Sequence, residues 1–76
     1  MKEFLEFVAK HLVDYPDQVT IGSEEKEGTC IFKLAVAEGD VGKIIGKSGK
    51  TATALRILLR AVAAKEGKRV VLDIIG

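Results

Sequence analysis

The chain has 76 residues, of which 47% are hydrophobic and 30% charged, and its formal net charge is +1. A chain of this size forms one small domain with little room for an active-site cleft beside its core, and this composition excludes a disordered protein. No apolar run approaches the roughly 20 residues that span a bilayer, and one cysteine and one histidine disfavour an internal disulfide and a metal site. We therefore expect a cytoplasmic protein without membrane association, cofactor, metal or small-molecule substrate.

The N-terminal half predicts a helix followed by a hairpin. Residues Lys2–Asp14 carry apolar side chains at helical spacing, and Pro16 is expected to end that helix. Val19–Ile21 is a short predicted strand, and Gly22–Gly28 is a predicted polar connection. Thr29–Val36 alternates as a strand does, so one of its faces should be buried. That face consists of Cys30, Phe32, Leu34 and Val36.

The C-terminal half predicts two helices and a last strand. Asp40 is a suitable N-cap for a short helix, Val41–Ile45. The glycines of Gly46–Gly49 interrupt that helix, and a longer one follows from Lys50 to about Lys65. Val70–Ile75 is then predicted as a strand.

The order helix–strand–strand–helix–helix–strand predicts an α+β domain that comprises residues 1–76. We expect a three-stranded mixed sheet covered on one face by three helices. The last strand should lie parallel to the second through the two-helix crossover, and the first should pair with the second as a hairpin.

Positive charge is concentrated in one segment of the chain. Residues 1–40 hold four Lys or Arg against nine Asp or Glu, whereas residues 41–69 hold eight Lys or Arg against one acid, Glu66. Such a basic block is typical of a polyanion binder, although a solvated helix face has the same composition. The glycine-containing sequence inside this block decides between the two.

Two features inside the block, "GKS" at residues 46–48 and "GKT" at residues 49–51, are reminiscent of a nucleotide-binding P-loop. Each fails at the first glycine of G-x-x-x-x-G-K-[ST], because Val41 and Ile44 occupy the required positions. A β-branched residue does not readily adopt the backbone that wraps phosphates there. A nucleotide-binding enzyme is therefore disfavoured.

The same residues form a G-x-x-G turn between two predicted helices. Two glycines allow a tight reversal that brings the backbone close to a sugar-phosphate chain. The helix that begins at Lys50 would direct its N-terminal N–H groups toward a phosphate, and Lys47 and Ser48 would add charge and a hydrogen-bond donor. A plain helix–helix connector remains the structural alternative.

The stretch "VGKIIGKSGKTATALR", residues 41–56, resembles the signature of K-homology (KH) domains, in which an Ile-Gly-x-x-Gly turn joins two helices. The element order is similar to the type II KH arrangement. "LVDYPDQVTI", residues 12–21, resembles the small bacterial single-domain KH proteins of the KhpA/YlqC family. The resemblance covers essentially the whole chain.

The resemblance implies binding of single-stranded RNA without catalysis, as an RNA chaperone or a post-transcriptional regulator. It also implies pairing, either as a homodimer or with a larger KH-containing partner of the KhpB type. A protein-interaction module with little RNA affinity is the alternative. The expected RNA-binding residues are Val41, Gly42, Lys43, Ile44, Ile45, Gly46, Lys47, Ser48, Gly49, Lys50, Thr51 and Arg56. Arg60 would either extend the phosphate path or simply solvate the helix.

The long helix has more apolar surface than one contact with the sheet requires. The face expected to contact the sheet consists of Ala52, Leu55, Leu59 and Val62. A second apolar flank consists of Ala54, Ile57, Leu58 and Ala61. Either the first helix covers this flank through Phe4, Leu5 and Val8, or the flank is a partner interface, since a small monomer seldom exposes such a stripe. The pairing that the KH resemblance implies favours a dimer through this helix.

Overall fold

A computed structural model describes residues 1–76 and contains three α-helices and three β-strands. The helices are α1 (Lys2–Leu12), α2 (Val41–Ile45) and α3 (Lys50–Lys65), and the strands are β1 (Thr20–Lys26), β2 (Thr29–Ala35) and β3 (Arg69–Ile75). The predicted α+β class and element order are confirmed. None of the helices combines the length and the hydropathy that crossing a bilayer requires.

The sheet has the strand order β1-β2-β3. β1 and β2 are antiparallel and are joined at Glu27 and Gly28, whose φ angles of 50° and 78° suit a tight hairpin turn. β2 and β3 are parallel, and α2 and α3 form the crossover between them. The predicted topology is therefore confirmed, with β1 and β3 as the two edge strands.

Strand β1 is longer than the prediction from Val19–Ile21, and the predicted connection over Gly22–Gly28 is wrong for most of its length. Pairing with β2 continues from Thr20 to Lys26. Apolar alternation could not reveal these residues as a strand because only Ile21 is partly buried and the rest are exposed. Main-chain pairing to β2, not side-chain burial, extends this edge strand.

The helices cover one face of the sheet and enclose the core. Phe32, Leu34 and Val36 are buried as predicted from the alternation of β2, and Cys30 is half-buried at the end of the same face. The other core side chains come from the three helices, from β3 and from Val19, which directly precedes β1: Leu5, Ala9, Val19, Ile44, Leu55, Leu59 and Leu72. Since β2 is central and contributes Phe32 and Leu34, with Val36 directly after its end, it is the main strand of the core.

Helix α1 ends at Leu12, two residues before the prediction. The buried carboxylate of Asp40 accepts hydrogen bonds from the backbone N–H groups of Asp14 (3.2 Å) and Tyr15 (3.0 Å). These bonds hold the chain in a non-helical path before Pro16 is reached. Asp40 does occupy the N-cap position of α2, but its side chain makes no capping bond there. The residue thus connects the end of α1 to the start of α2.

Helix α3 has the predicted bounds but a slightly different buried face. Ala52, Leu55 and Leu59 are buried as expected. Val62 is 43% exposed, so its assignment to the core is wrong, and Ala63 is fully buried instead. Successive residues on a helix differ by about 100° in direction, and Ala63 lies closer than Val62 to the line through Ala52 and Leu59.

Candidate nucleic-acid interface

The turn between α2 and α3 consists of Gly46, Lys47, Ser48 and Gly49. Three of these residues have positive φ angles: 77° at Gly46, 57° at Ser48 and 74° at Gly49. The Gly46 N–H donates to the Gly42 carbonyl (2.8 Å), and the Gly49 N–H donates to the Gly46 carbonyl (3.2 Å). The backbone N–H groups of Lys47 and Ser48 lie beyond the end of α2, and both residues are exposed.

The two glycines of the turn meet different constraints. A Cβ added at Gly46 would lie 2.6 Å from the Cβ of Thr51 and 2.9 Å from its backbone nitrogen. A Cβ added at Gly49 would meet nothing within 4 Å. The positive φ therefore favours glycine at both positions, but close approach to the first turn of α3 requires it only at Gly46.

A groove of about 710 Å³ runs beside this turn, between α3 and the free edge of β3. Its helical side is lined by Ile45, Gly49, Ala52, Thr53 and Arg56, and its strand side by Lys33, Asp73, Ile74 and Ile75. Gly49, Ile45 and Arg56 are predicted site residues that the structure brings together here. The strand side was missed because those residues are distant in sequence, although the predicted parallel crossover places β3 beside α3.

Strand β3 presents main-chain groups to this groove. The Val36 N–H donates to the Ile75 carbonyl (3.1 Å), so the backbone of Ile75 faces β2. Because a parallel ladder alternates, the backbones of Leu72 and Ile74 face the free edge instead. Arg56 Nη2 donates to the Leu72 carbonyl (3.2 Å), which agrees with this orientation. Arg56 thereby fixes α3 against β3, and its guanidinium retains further N–H donors.

The lysines around the turn differ in their partners. Lys43 Nζ lies 2.8 Å from Asp14 Oδ2 and 3.7 Å from Asp40 Oδ1. The hydrogen bond and the charge of Asp14 raise the pKa of Lys43 above the usual lysine value. Lys47 and Lys50 form no salt bridge with any acid. The free positive charge at the turn therefore comes from Lys47 and Lys50, while Lys43 is already neutralised.

The predicted contact residues of α2 have separate roles. Ile44 has no exposed surface and belongs to the core, so its prediction as an RNA contact is corrected to a role in holding α2 in place. Val41 is half-buried against the core, and Gly42 is exposed. Ile45 is 39% exposed and lines the groove. Of the two isoleucines, only Ile45 is available to a ligand.

The second apolar flank of α3 is open to solvent. Ile57 is 58% and Leu58 50% exposed, and Ala54 and Ala61 are exposed beside them. Helix α1 does not cover this flank, because its main contacts are with β1, the Pro16–Gln18 turn and α2. The exposed flank lies roughly opposite the buried face of α3, apart from the groove.

Comparison with known proteins agrees with this fold. The family model for the KH domain of KhpA and KhpB matches residues 2–74. RNA-binding protein KhpA of Clostridium acetobutylicum is 49% identical over 75 residues, which cover 99% of this chain and 100% of that protein. RNA-binding protein KhpA of Chlamydia trachomatis is 47% identical over 74 residues, covering 97% of this chain and 95% of that protein.

RNA-binding protein KhpA of Aquifex aeolicus is 45% identical over 75 residues, which cover 99% of this chain and 95% of that protein. No solved structure gives a significant match. The matched family consists of RNA-binding KH domains and is not an enzyme family. From the match over residues 2–74 and the identity to full-length relatives, the chain belongs to the KhpA/KhpB family of KH domains.

Proposed function

We propose that this chain binds single-stranded RNA in the groove between α3 and β3, with the Gly46–Gly49 turn holding the RNA backbone. The observation that carries the proposal is the combination at one place of an open turn backbone, two unpaired lysines and an adjoining groove. The relatives named above are RNA-binding proteins, which supports RNA as the ligand.

The two sides of the interface would do different work. Backbone N–H groups of the turn and the charges of Lys47 and Lys50 would bind phosphates, as helix N-termini do. Ile45 would contact the faces of bases, and the free backbone groups of Ile74 would meet their edges. Because no aromatic side chain lines the groove, base stacking contributes little, and we expect weak sequence preference and strong dependence on salt.

The test is the double variant Lys47→Asp with Ser48→Asp, which places two carboxylates on the phosphate path and leaves both glycines intact. Fluorescence anisotropy with short labelled RNAs at low and moderate salt should show binding by wild type and none by the variant. The matched control is Lys26→Asp with Ser23→Asp, an equal charge change on the exposed edge strand β1. Circular dichroism verifies that all three proteins are folded.

Equal binding by wild type and the turn variant would mean that the turn is only a connector. An equal loss of RNA affinity in the control would mean that the charge of the turn is one of many interchangeable charges. Absence of binding in every protein would favour the alternative function, a protein-interaction module. The exposed flank of α3 would then be the functional surface.

A second part of the proposal concerns pairing through that flank, Ala54, Ile57, Leu58 and Ala61. Four adjacent apolar side chains exposed on one small domain are typical of an interface. The partner would be a second copy or a larger KH-containing protein of the KhpB type. Sedimentation analysis should show a dimer that Leu58→Glu disrupts, whereas Phe7→Glu, at the 64% exposed side chain of α1, should leave it intact. A monomeric wild type that does not pair with a KhpB-type protein would refute this interface.

RNA binding without catalysis supports a cytoplasmic role as an RNA chaperone or a post-transcriptional regulator. The two roles differ in what happens to the RNA. A chaperone accelerates strand annealing or unfolding in a purified mixture, whereas a regulator changes the level or translation of particular transcripts when its gene is deleted. The turn variant serves as the inactive control in both assays.

A further inference from the structure

A second depression lies along the α3–β3 edge, toward the start of β3. It has a volume of about 330 Å³ and is lined by Arg60, Lys68, Arg69 and Val70. Three of these four residues are cations; the sequence left open whether Arg60 extends the phosphate path, and it singled out neither Lys68 nor Arg69 as an RNA contact. The depression is distinct from the groove beside the turn, which is lined by other side chains.

The three cations are not equally available. Lys68 Nζ lies 3.0 Å from Glu25 Oε1, so its charge is neutralised by β1. Arg60 and Arg69 form no salt bridge with any acid. The one acid of the basic segment, Glu66, lines a different depression with Glu24 and Glu25. Two unpaired guanidinium groups therefore border the same depression.

The second depression continues the path of the first. Arg56 and Arg60 stand on successive turns of α3, about 6 Å apart along the helix axis. On the strand side, the free-edge backbones of Ile74, Leu72 and Val70 follow one another in the same direction. Arg56 donates to the Leu72 carbonyl, and Arg60, about one helical turn further along α3, lines the second depression together with Val70. The path from Lys50 to Arg60 is about 15 Å long.

We propose that Arg60 and Arg69 form a second phosphate site, which extends the bound RNA beyond the roughly four nucleotides that a KH turn holds. The inference rests on the proposed RNA binding at the turn. Guanidinium groups bind phosphate with paired N–H donors. Because neither arginine has an acidic partner, a phosphate bound between them would offset the repulsion between their positive charges. Val70 supplies an apolar wall for the adjoining sugar or base.

The experiment compares a four-nucleotide and an eight-nucleotide single-stranded RNA on wild type and on Arg60→Gln with Arg69→Gln. The matched control is Lys26→Gln with Lys65→Gln, which removes two exposed charges that line neither depression. The eight-nucleotide strand offers about five registers to a four-nucleotide site, so proteins are compared on the same RNA.

The arginine variant should bind the longer RNA about tenfold more weakly than wild type at low salt, and the slope of log affinity against log salt should fall by about 0.7, the value for one lost phosphate contact. Its affinity for the four-nucleotide RNA should be unchanged. The control should keep wild-type affinity for both RNAs.

Three results would overturn the second site: full affinity of the arginine variant for the longer RNA, equal loss on both RNAs, or an equal loss in the control. These results leave binding at the turn in place, since wild type still binds. Failure of wild type to bind either RNA would instead overturn the proposed function and this inference together.

Discussion

Gly46 and Gly49 provide a matched pair of substitutions, because both lie in the turn with positive φ but only Gly46 approaches α3 closely. At Gly46 the backbone has φ 77° and ψ 176°, a region that only glycine visits readily. At Gly49 it has φ 74° and ψ 9°, which is left-handed helical. We predict that Gly46→Ala destabilises the domain far more than Gly49→Ala.

The magnitudes follow from these two geometries. Holding alanine in the conformation of Gly46 costs about 1–3 kcal/mol, and relieving its contacts with Thr51 requires the start of α3 to shift. The lower entropy of the unfolded chain returns about 0.4–1 kcal/mol at either position. We expect a net loss of about 3 kcal/mol for Gly46→Ala. Gly49→Ala should lose about 1 kcal/mol, because only the left-handed backbone is penalised.

Thermal unfolding followed by circular dichroism measures the difference. For a domain of this size, each kcal/mol lowers the melting temperature by about 4–8 °C, so Gly46→Ala should melt about 12–24 °C below wild type. Gly49→Asn is a further control, because asparagine tolerates the left-handed region better than alanine. Equal melting temperatures for the two alanine variants would refute the reasoning from close approach.

Three further predictions concern charged residues. Asp40→Ala should lower the free energy of unfolding by about 3 kcal/mol, because the N–H groups of Asp14 and Tyr15 lose their charged acceptor. A loss below about 1 kcal/mol in urea titrations would contradict that role of Asp40. Lys47→Ala should weaken RNA binding more than Lys43→Ala, because Lys43 is already paired with Asp14; the reverse order in anisotropy titrations would assign Lys43 to the RNA. The raised pKa of Lys43 means that its ion pair, as long as Asp14 is ionised, stabilises fully below pH 10.5 and is lost as the pH rises through the raised pKa. The stability difference between wild type and Lys43→Ala in urea titrations should therefore disappear in strongly alkaline solution, and a difference that persists there would exclude the ion pair as its cause.

Local sequence patterns were sufficient to predict a strand whose own side chains alternate between core and solvent, and a helix break marked by glycines. The alternation of Thr29–Val36 predicted the buried face of β2, and the glycines of Gly46–Gly49 predicted the break between α2 and α3. β1 was underestimated because an exposed edge strand needs no apolar alternation. Its length is set by hydrogen bonds to β2, which no window of sequence contains.

The charged residues also show which properties the sequence determined and which the fold decided. The sequence alone determined that positive charge lies in residues 41–69, but not which charges are free. Only the fold decided that Asp14 neutralises Lys43 and that Glu25 neutralises Lys68, because each pair joins residues more than 25 positions apart. The fold likewise decided which cations have no acidic partner, namely Lys47, Lys50, Arg60 and Arg69.

The groove also shows what tertiary structure adds. The sequence by itself determined the order of elements, the helical side of the groove and the glycine turn, since each depends on neighbours along the chain. The strand side required β3 to return beside α3, which brought Asp73, Ile74 and Ile75 to Arg56 and Gly49. That juxtaposition results from burying the apolar faces of α3 and the sheet against each other, a long-range contact that local preferences do not specify.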